Sequence, residues 1–208
     1  MLSLAGTVAA LYLALSALPL SPAHSPVAAA QGNLTSLAGT WSSGSGAVVT
    51  GPSFADPMNN DRPFFYPSNT GMAYSFTDDG YFETAWYRFN ANASKPACPT
   101  ALLYWQHGTY QVHSNGSLSM DPAPFREDGR IQTENPCTPQ TAILTEYAEF
   151  EMWDSWTISI DVHHAAYMLQ PVRSDLGKMP RLYLTVRPPT MLPTTSLTAV
   201  FNGSVPLA

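Results

Sequence analysis

The sequence is short of nearly everything from which catalysis, metal binding and nucleic-acid binding are built. Nine Lys and Arg stand against fifteen Asp and Glu in 208 residues, a net charge of −6, so the chain has no field that would attract a phosphate backbone and no nucleic acid is expected as a partner. There are two cysteines, Cys98 and Cys137. Neither a CxxC nor an HExxH spacing occurs, and nothing supports a metal site. No GxSxG elbow presents an activated serine, and no Gly-rich loop followed by Lys could hold a nucleotide phosphate. No cofactor is expected. Long proline-free runs are scarce too, with 19 Pro along the chain, which excludes a helical bundle.

One uncharged stretch stands apart at the start. Leu2 to Leu20 are rich in Leu and Ala, and Ala28-Ala29-Ala30 fits the small-x-small pattern of signal peptidase. Residues 1–30 read as a secretory signal cut near Ala30, with Ala23 as a second candidate. An uncleaved membrane anchor is the alternative, although the stretch lacks basic flanks. Four N-x-Ser/Thr sequons, at Asn33, Asn92, Asn115 and Asn202, suit a secreted chain and are candidate N-glycosylation sites. In an oxidising compartment Cys98 and Cys137 have one possible pairing, and a disulfide is expected.

Patterning of period two dominates the rest. In LLYWQHGTYQV, from Leu102 to Val112, both faces of an extended chain carry aromatics: Tyr104 and Tyr110 on one, Trp105 on the other. Asn115-Gly116 supplies a hairpin turn before Leu118 and Met120. Asp78-Asp79-Gly80 marks a second hairpin between Tyr74–Thr77 and Tyr81–Phe89. Trp156, Ile158, Ile160 and Val162 alternate with polar residues, as do Leu182, Leu184 and Val186, and Pro188-Pro189 stops the last strand. FREDGRIQTENPC reads as a polar loop, Glu149 to Asp154 as a charged connection, and residues 191–208 as a Pro/Thr/Ser-rich linker or stalk after a folded domain at 31–190. Eight or nine short strands with no convincing helix predict an all-β domain. A single antiparallel meander barrel is favoured because closure removes exposed edges, with a sandwich as the alternative.

Candidate carboxylate pairs are weak. Glu149 and Glu151 would sit about 7 Å apart on one strand face, within the separation of an inverting glycosidase pair, but with Glu146 nearby they read as a solvated acidic rim. Tandem His163-His164 would point to opposite faces. No catalytic residue is assigned and the chain is not expected to be an enzyme.

Gly39-Thr40-Trp41 resembles the opening of lipocalin-type barrels, in which an Arg of the last strand covers the indole. Arg187, or Arg181, would then lie over Trp41 in a cation–π contact that closes the barrel. A longer resemblance runs from Gly39 to Thr195: GTWSSGSGAVVTGPSFADP, YSFTDDGYFETAWYRF, Cys98 with LLYWQHGTY, NGSLSMDP, Asp128-Gly129-Arg130, NPC at Asn135 to Cys137, and LYLTVRPPTMLPT. These elements resemble the fungal Rot-one family. The resemblance implies an endoplasmic-reticulum (ER) lumenal protein that assists the folding of secretory proteins, alone or with other ER chaperones, and is needed for cell-wall β-1,6-glucan. It also implies N-glycosylation and a membrane anchor, whereas the sequence to Ala208 shows no terminal apolar span; a soluble form and an anchor lying farther on are both open. Clients would be unfolded or partly folded secretory chains, held without ATP. Trp86, Tyr87 and Trp105 are the candidate contact residues, since Trp and Tyr join a flat apolar area to a polar edge. The same side chains could stack on sugar rings, which makes a carbohydrate-binding module for cell-wall glucan the alternative function.

Overall fold

Alternating apolar residues become strands wherever both faces find something to cover them. The computed structural model describes residues 36–198 and, as backbone, 204–206. Twelve strands run through these: β1 Gly39–Ser43, β2 Gly71–Phe76, β3 Tyr81–Asn90, β4 Thr100–Val112, β5 Leu118–Asp121, β6 Arg130–Glu134, β7 Ala142–Glu146, β8 Glu151–Asp161, β9 Ala166–Arg173, β10 Gly177–Lys178, β11 Leu182–Val186 and β12 Ser204–Pro206. One 3₁₀ turn, Ala123–Phe125, joins them among the described residues. The fold is all-β and every pairing is antiparallel.

Eight strands close a ring in the order β1-β2-β3-β4-β5-β8-β9-β11, and β11 returns to β1. It is not a regular barrel, because the sheet branches. The first half of β4, Ala101–Trp105, pairs β6, while Thr109–Val112 on the same edge pairs β5. The two partners diverge at Gly108, where a Cβ would lie 2.1 Å from the Asp121 carbonyl oxygen and 2.7 Å from Pro122 Cα. Only glycine allows that crossing. β7 and β12 extend the branch beyond β6.

The strands shared by ring and branch are covered on both sides. Inside the ring lie Trp41, Tyr74, Phe76, Phe82, Trp86, Tyr104, Leu118, Met120 and Trp153. Outside it, Ala73, Ala85, Leu103, Trp105 and Leu144 form a second core with Val48, Phe54 and Phe64 from the long β1–β2 connection. Aromatics on both faces of β3 and β4 therefore mark two cores and not one core with a wet side. Fully burying such side chains is worth about 1.5–3 kcal/mol each.

Several sequence expectations need correction. FREDGRIQTENPC contains β6, hidden because its outward residues Arg130 and Gln132 are polar yet buried. β8 begins at Glu151, five residues before the visible alternation; an irregularity between Trp153 and Ser155 shifts the register and breaks the period. Residues 191–198, within the stretch read as linker or stalk, dock on the outer face, and β12 pairs β7. Arg187, directly after β11, ties that strand's end to the residues leading into β1, but not by stacking on Trp41. Its Nε donates to the Ala38 carbonyl at 2.5 Å and its Nη2 to that of Ser36 at 2.9 Å, while Trp41 Nε1 donates to Leu37 O at 2.6 Å. The cation–π contacts among the described residues are Arg62 on Phe65 and Arg88 on Trp86. The signal segment, Asn33 and Asn202 lie outside the described residues.

Candidate functional site

The outer face of β1–β4 carries buried acceptors, and what they hold is backbone. Glu83, on β3, has no solvent exposure. Its Oε1 accepts from Gly51 N at 2.5 Å and Trp105 Nε1 at 2.7 Å, and its Oε2 from Leu192 N at 2.6 Å. Burial pushes this carboxyl up to about 7 despite the three donors. Asp128, at the foot of β6, accepts from His107 Nε2 at 2.8 Å, Leu197 N at 2.9 Å, and Thr198 N and Oγ1 at 2.8 and 2.6 Å. Burial would raise Asp128 as well, but the bonds from His107, Thr198 and the Leu197 amide outweigh it and hold the group below the ordinary carboxylate value. A hydroxyl cluster completes the row: Thr40 Oγ1 accepts from Thr190 N at 2.8 Å, and Thr50 and Ser75 donate to Thr190 O at 2.7 and 3.2 Å.

Farther along β3 the apolar outer face emerges into solvent. Tyr87 is half-buried and meets Phe89 at 5.4 Å and, edge-on, Tyr66 at 6.4 Å. Phe89 is 56% exposed and Tyr66 54%. The Tyr66 hydroxyl donates to Glu134 and accepts from Gln132; burial, then Glu134, push its phenol above the ordinary range. Beside Phe89 a cleft of about 470 Å³ is lined by Pro99, Ala101, Glu134, Pro136 and Ala142. Its two prolines adjoin the disulfide Cys98–Cys137, whose Cα atoms are 5.6 Å apart. Three aromatic rings set edge-on and tilted to one another, beside a cleft whose lining is mostly apolar, offer non-directional contact to an apolar side chain.

A family model described as "Rot1: Chaperone for protein-folding within the ER, fungal" matches residues 37–205. The chain belongs to the Rot1 family. Relatives called Protein rot1 in Aspergillus clavatus and Schizosaccharomyces pombe are each 44% identical, over 165 and 161 residues, covering 79% and 77% of this chain and 68% of each relative. Protein ROT1 of Yarrowia lipolytica is 41% identical over 171 residues, 82% of this chain and 67% of the relative. No solved structure matches. The function is thus that of a protein-folding chaperone of the endoplasmic reticulum. The carbohydrate-binding alternative finds no support in the family's description.

Against the Rot1 role, the sequence-predicted residues fall in several places. Cys98 and Cys137 are joined. Trp105 is fully buried in the outer core and Trp86, 5% exposed, in the inner one, where its Nε1 donates to the Tyr74 hydroxyl. In this conformation neither presents a surface to a client, because two cores and not one consume the aromatics of β3 and β4. Tyr87 alone of the three reaches the surface. Glu149 and Glu151 are not a rim pair: Glu149 is exposed, while Glu151 is buried inside the ring among Tyr74, Gln106 and Arg173. His163 and His164 sit at the exposed β8–β9 turn, with His164 Nδ1 3.0 Å from Asp161. No group of three or more His, Cys, Asp or Glu suited to a metal occurs among the described residues. Glu83 and Asp128 were missed as site residues. The one sequence signal at Glu83 is a lone carboxylate on a strand face shared with Tyr81, Ala85 and Tyr87.

Proposed function

We propose that this Rot1-family chain captures partly folded secretory polypeptides on the aromatic surface of Tyr66, Tyr87 and Phe89 and the cleft beside it, transiently, with neither nucleotide hydrolysis nor catalysis. The observation that carries this is that the outer apolar face comes to the surface there, ending in two aromatic rings more than half exposed. Apolar contact contributes about 25 cal/mol per Å² before ordering costs. A patch of a few hundred Å² can therefore hold a client without trapping it. Clients are chains that still expose apolar segments, and release follows from weak affinity.

A second surface favours another reading. β8 from Ser155 to Asp161 pairs β9 on one edge, and among the described residues no strand pairs its other edge. Near its end Ile160 is 53% and Val162 80% exposed. An extended client could add a strand there. Light scattering of two unrelated reduced proteins, with and without the full chain, separates the two. Tyr87→Ser with Phe89→Ser should lower suppression of aggregation severalfold while Ile160→Ser leaves it unchanged. The reverse result would transfer the site to β8, and no suppression by the native chain would end autonomous capture.

N-glycans at Asn92 and Asn115 belong to the same reading. In each the side-chain oxygen accepts the N–H of the sequon serine, at 3.1 and 3.0 Å, in a turn that leaves the amide nitrogen free for modification. A mobility shift on glycosidase treatment that shrinks with Asn115→Gln checks it. No helix among the described residues is long and apolar enough to cross a membrane; anchoring by a segment elsewhere would appear as resistance of the native protein to carbonate extraction.

A further inference from the structure

The segment from Pro188 to Thr198 reads PPTMLPTTSLT and carries no charged residue. It crosses the outer face without pairing to any strand, and the groups that hold it recognise its main chain. Both backbone groups of Thr190 bond to the hydroxyls of Thr40, Thr50 and Ser75. The amides of Leu192, Leu197 and Thr198 donate to Glu83 and Asp128. Apart from the Thr198 hydroxyl, which reaches Asp128 and Glu127, the side chains contribute two apolar anchors, Leu192 and Leu197, resting on the core of Ala85, Leu103 and Trp105. The acceptors are buried, whereas the segment above them is only partly so.

We infer that this face is a groove for an extended, uncharged polypeptide segment bearing spaced leucines, and that residues 190–198 are its resident occupant, an autoinhibitory strap that a client segment displaces. This rests on the client-capture reading and gives it a larger surface. Amide-to-carboxylate bonds accept any sequence except proline at the bonded position, as a chaperone of many clients requires. The charge fits as well: the buried carboxylates receive amide donors and disfavour acidic segments, and the apolar layer of Ala85, Leu103 and Trp105 disfavours any charged side chain laid over it, as the uncharged resident segment shows. The groove is continuous with Tyr87, so a client that first touches the exposed aromatics lies at the strap's edge. Displacement then exchanges one extended chain for another, and Glu83 and Asp128 are not left without donors.

Amide hydrogen exchange on the native full chain tests this, with a reduced, unfolded secretory protein as the probe client. The amides of Leu192, Leu197 and Thr198 should exchange roughly 100-fold faster than those of Ala85 and Trp105, as a unit that opens on its own, and saturating client should change strap protection more than protection of β8. Leu192→Ser with Leu197→Ser should raise suppression of client aggregation severalfold, and a synthetic peptide of residues 188–198 added in trans should reverse that gain. Strap amides that exchange only with global unfolding would overturn the proposal, even if the double variant fails to fold. Client capture that leaves the strap unchanged would overturn it too, with the chaperone reading intact on the exposed aromatics. Absence of capture by both native chain and variant would remove that reading together with the groove.

Discussion

Glu83 and Asp128 are both buried carboxylates on one face, and although burial pushes both up, their hydrogen bonds leave them shifted in opposite senses. Asp128 receives four bonds, one from His107, and its carboxyl is held low; Glu83 receives three and is raised to about 7. For Asp128 the stability contribution is present above the unfolded carboxylate value and is lost only as the pH falls. For Glu83 the folded value exceeds the unfolded 4.5, so its contribution is full below about 4.5 and is lost as the pH rises through about 7. Linkage sets the size of that loss at about 3 kcal/mol. Glu83→Gln removes the ionisation but also the acceptor for Leu192 N, so the variant should melt below the native chain at about pH 5 and the gap should narrow or reverse by about pH 8. A gap between native chain and variant that stays constant over that range would show that the Glu83 carboxyl is not raised in the folded state.

Among the elements, β4 carries most of the topology, since one edge serves β3 and the other is divided between β5 and β6. Gly108→Ala would drive a methyl into the Asp121 carbonyl and Pro122. Overpacking against backbone should cost about 3 kcal/mol or more. At Gly44 nothing lies within 4 Å of an added Cβ, and alanine there should cost only about 1–2 kcal/mol for its left-handed backbone; denaturant midpoints compare the two. The disulfide links the loops flanking β4 and β6, which already pair, so replacing Cys98 and Cys137 by Ser should cost at most about 4 kcal/mol. Thiol labelling of the unreduced, denatured chain should find no reactive cysteine. The hairpins at Asp79-Gly80 and Asn115-Gly116, the strand ending at Val186 and the cysteine pair were legible because each is a local signal. The branch was not: β6 has the polarity of a loop, because Arg130 and Gln132 are buried with hydrogen bonds to near neighbours and to Pro57 and Tyr66 of the β1–β2 connection, and the start of β8 is masked by its irregular register. For the site, Trp86, Tyr87 and Trp105 read alike as candidate contacts, because a single sequence does not reveal that the ring covers Trp86 from within while the strap and the β1–β2 connection cover Trp105 from outside.

At the scale of the whole molecule, the two cores share one sheet. β2, β3 and β4 send alternate residues to each, so the inner core cannot lose these strands while the outer keeps them, and the domain should unfold in one cooperative transition with the strap alone opening separately. Trp153 and Trp105 test this from opposite sides. Both are fully buried, and replacement by Ala should cost about 3–5 kcal/mol. Trp105→Ala should lie nearer the top of that range, because it also takes a donor from Glu83, whereas Trp153 Nε1 has no partner among the described residues to lose. If the cores are one unit, each substitution lowers a single midpoint seen alike in far-ultraviolet circular dichroism and in the remaining tryptophan fluorescence. If Trp105→Ala instead splits the melt, leaving a ring that still protects Trp153, the outer layer is a separable cover and the cooperative account fails.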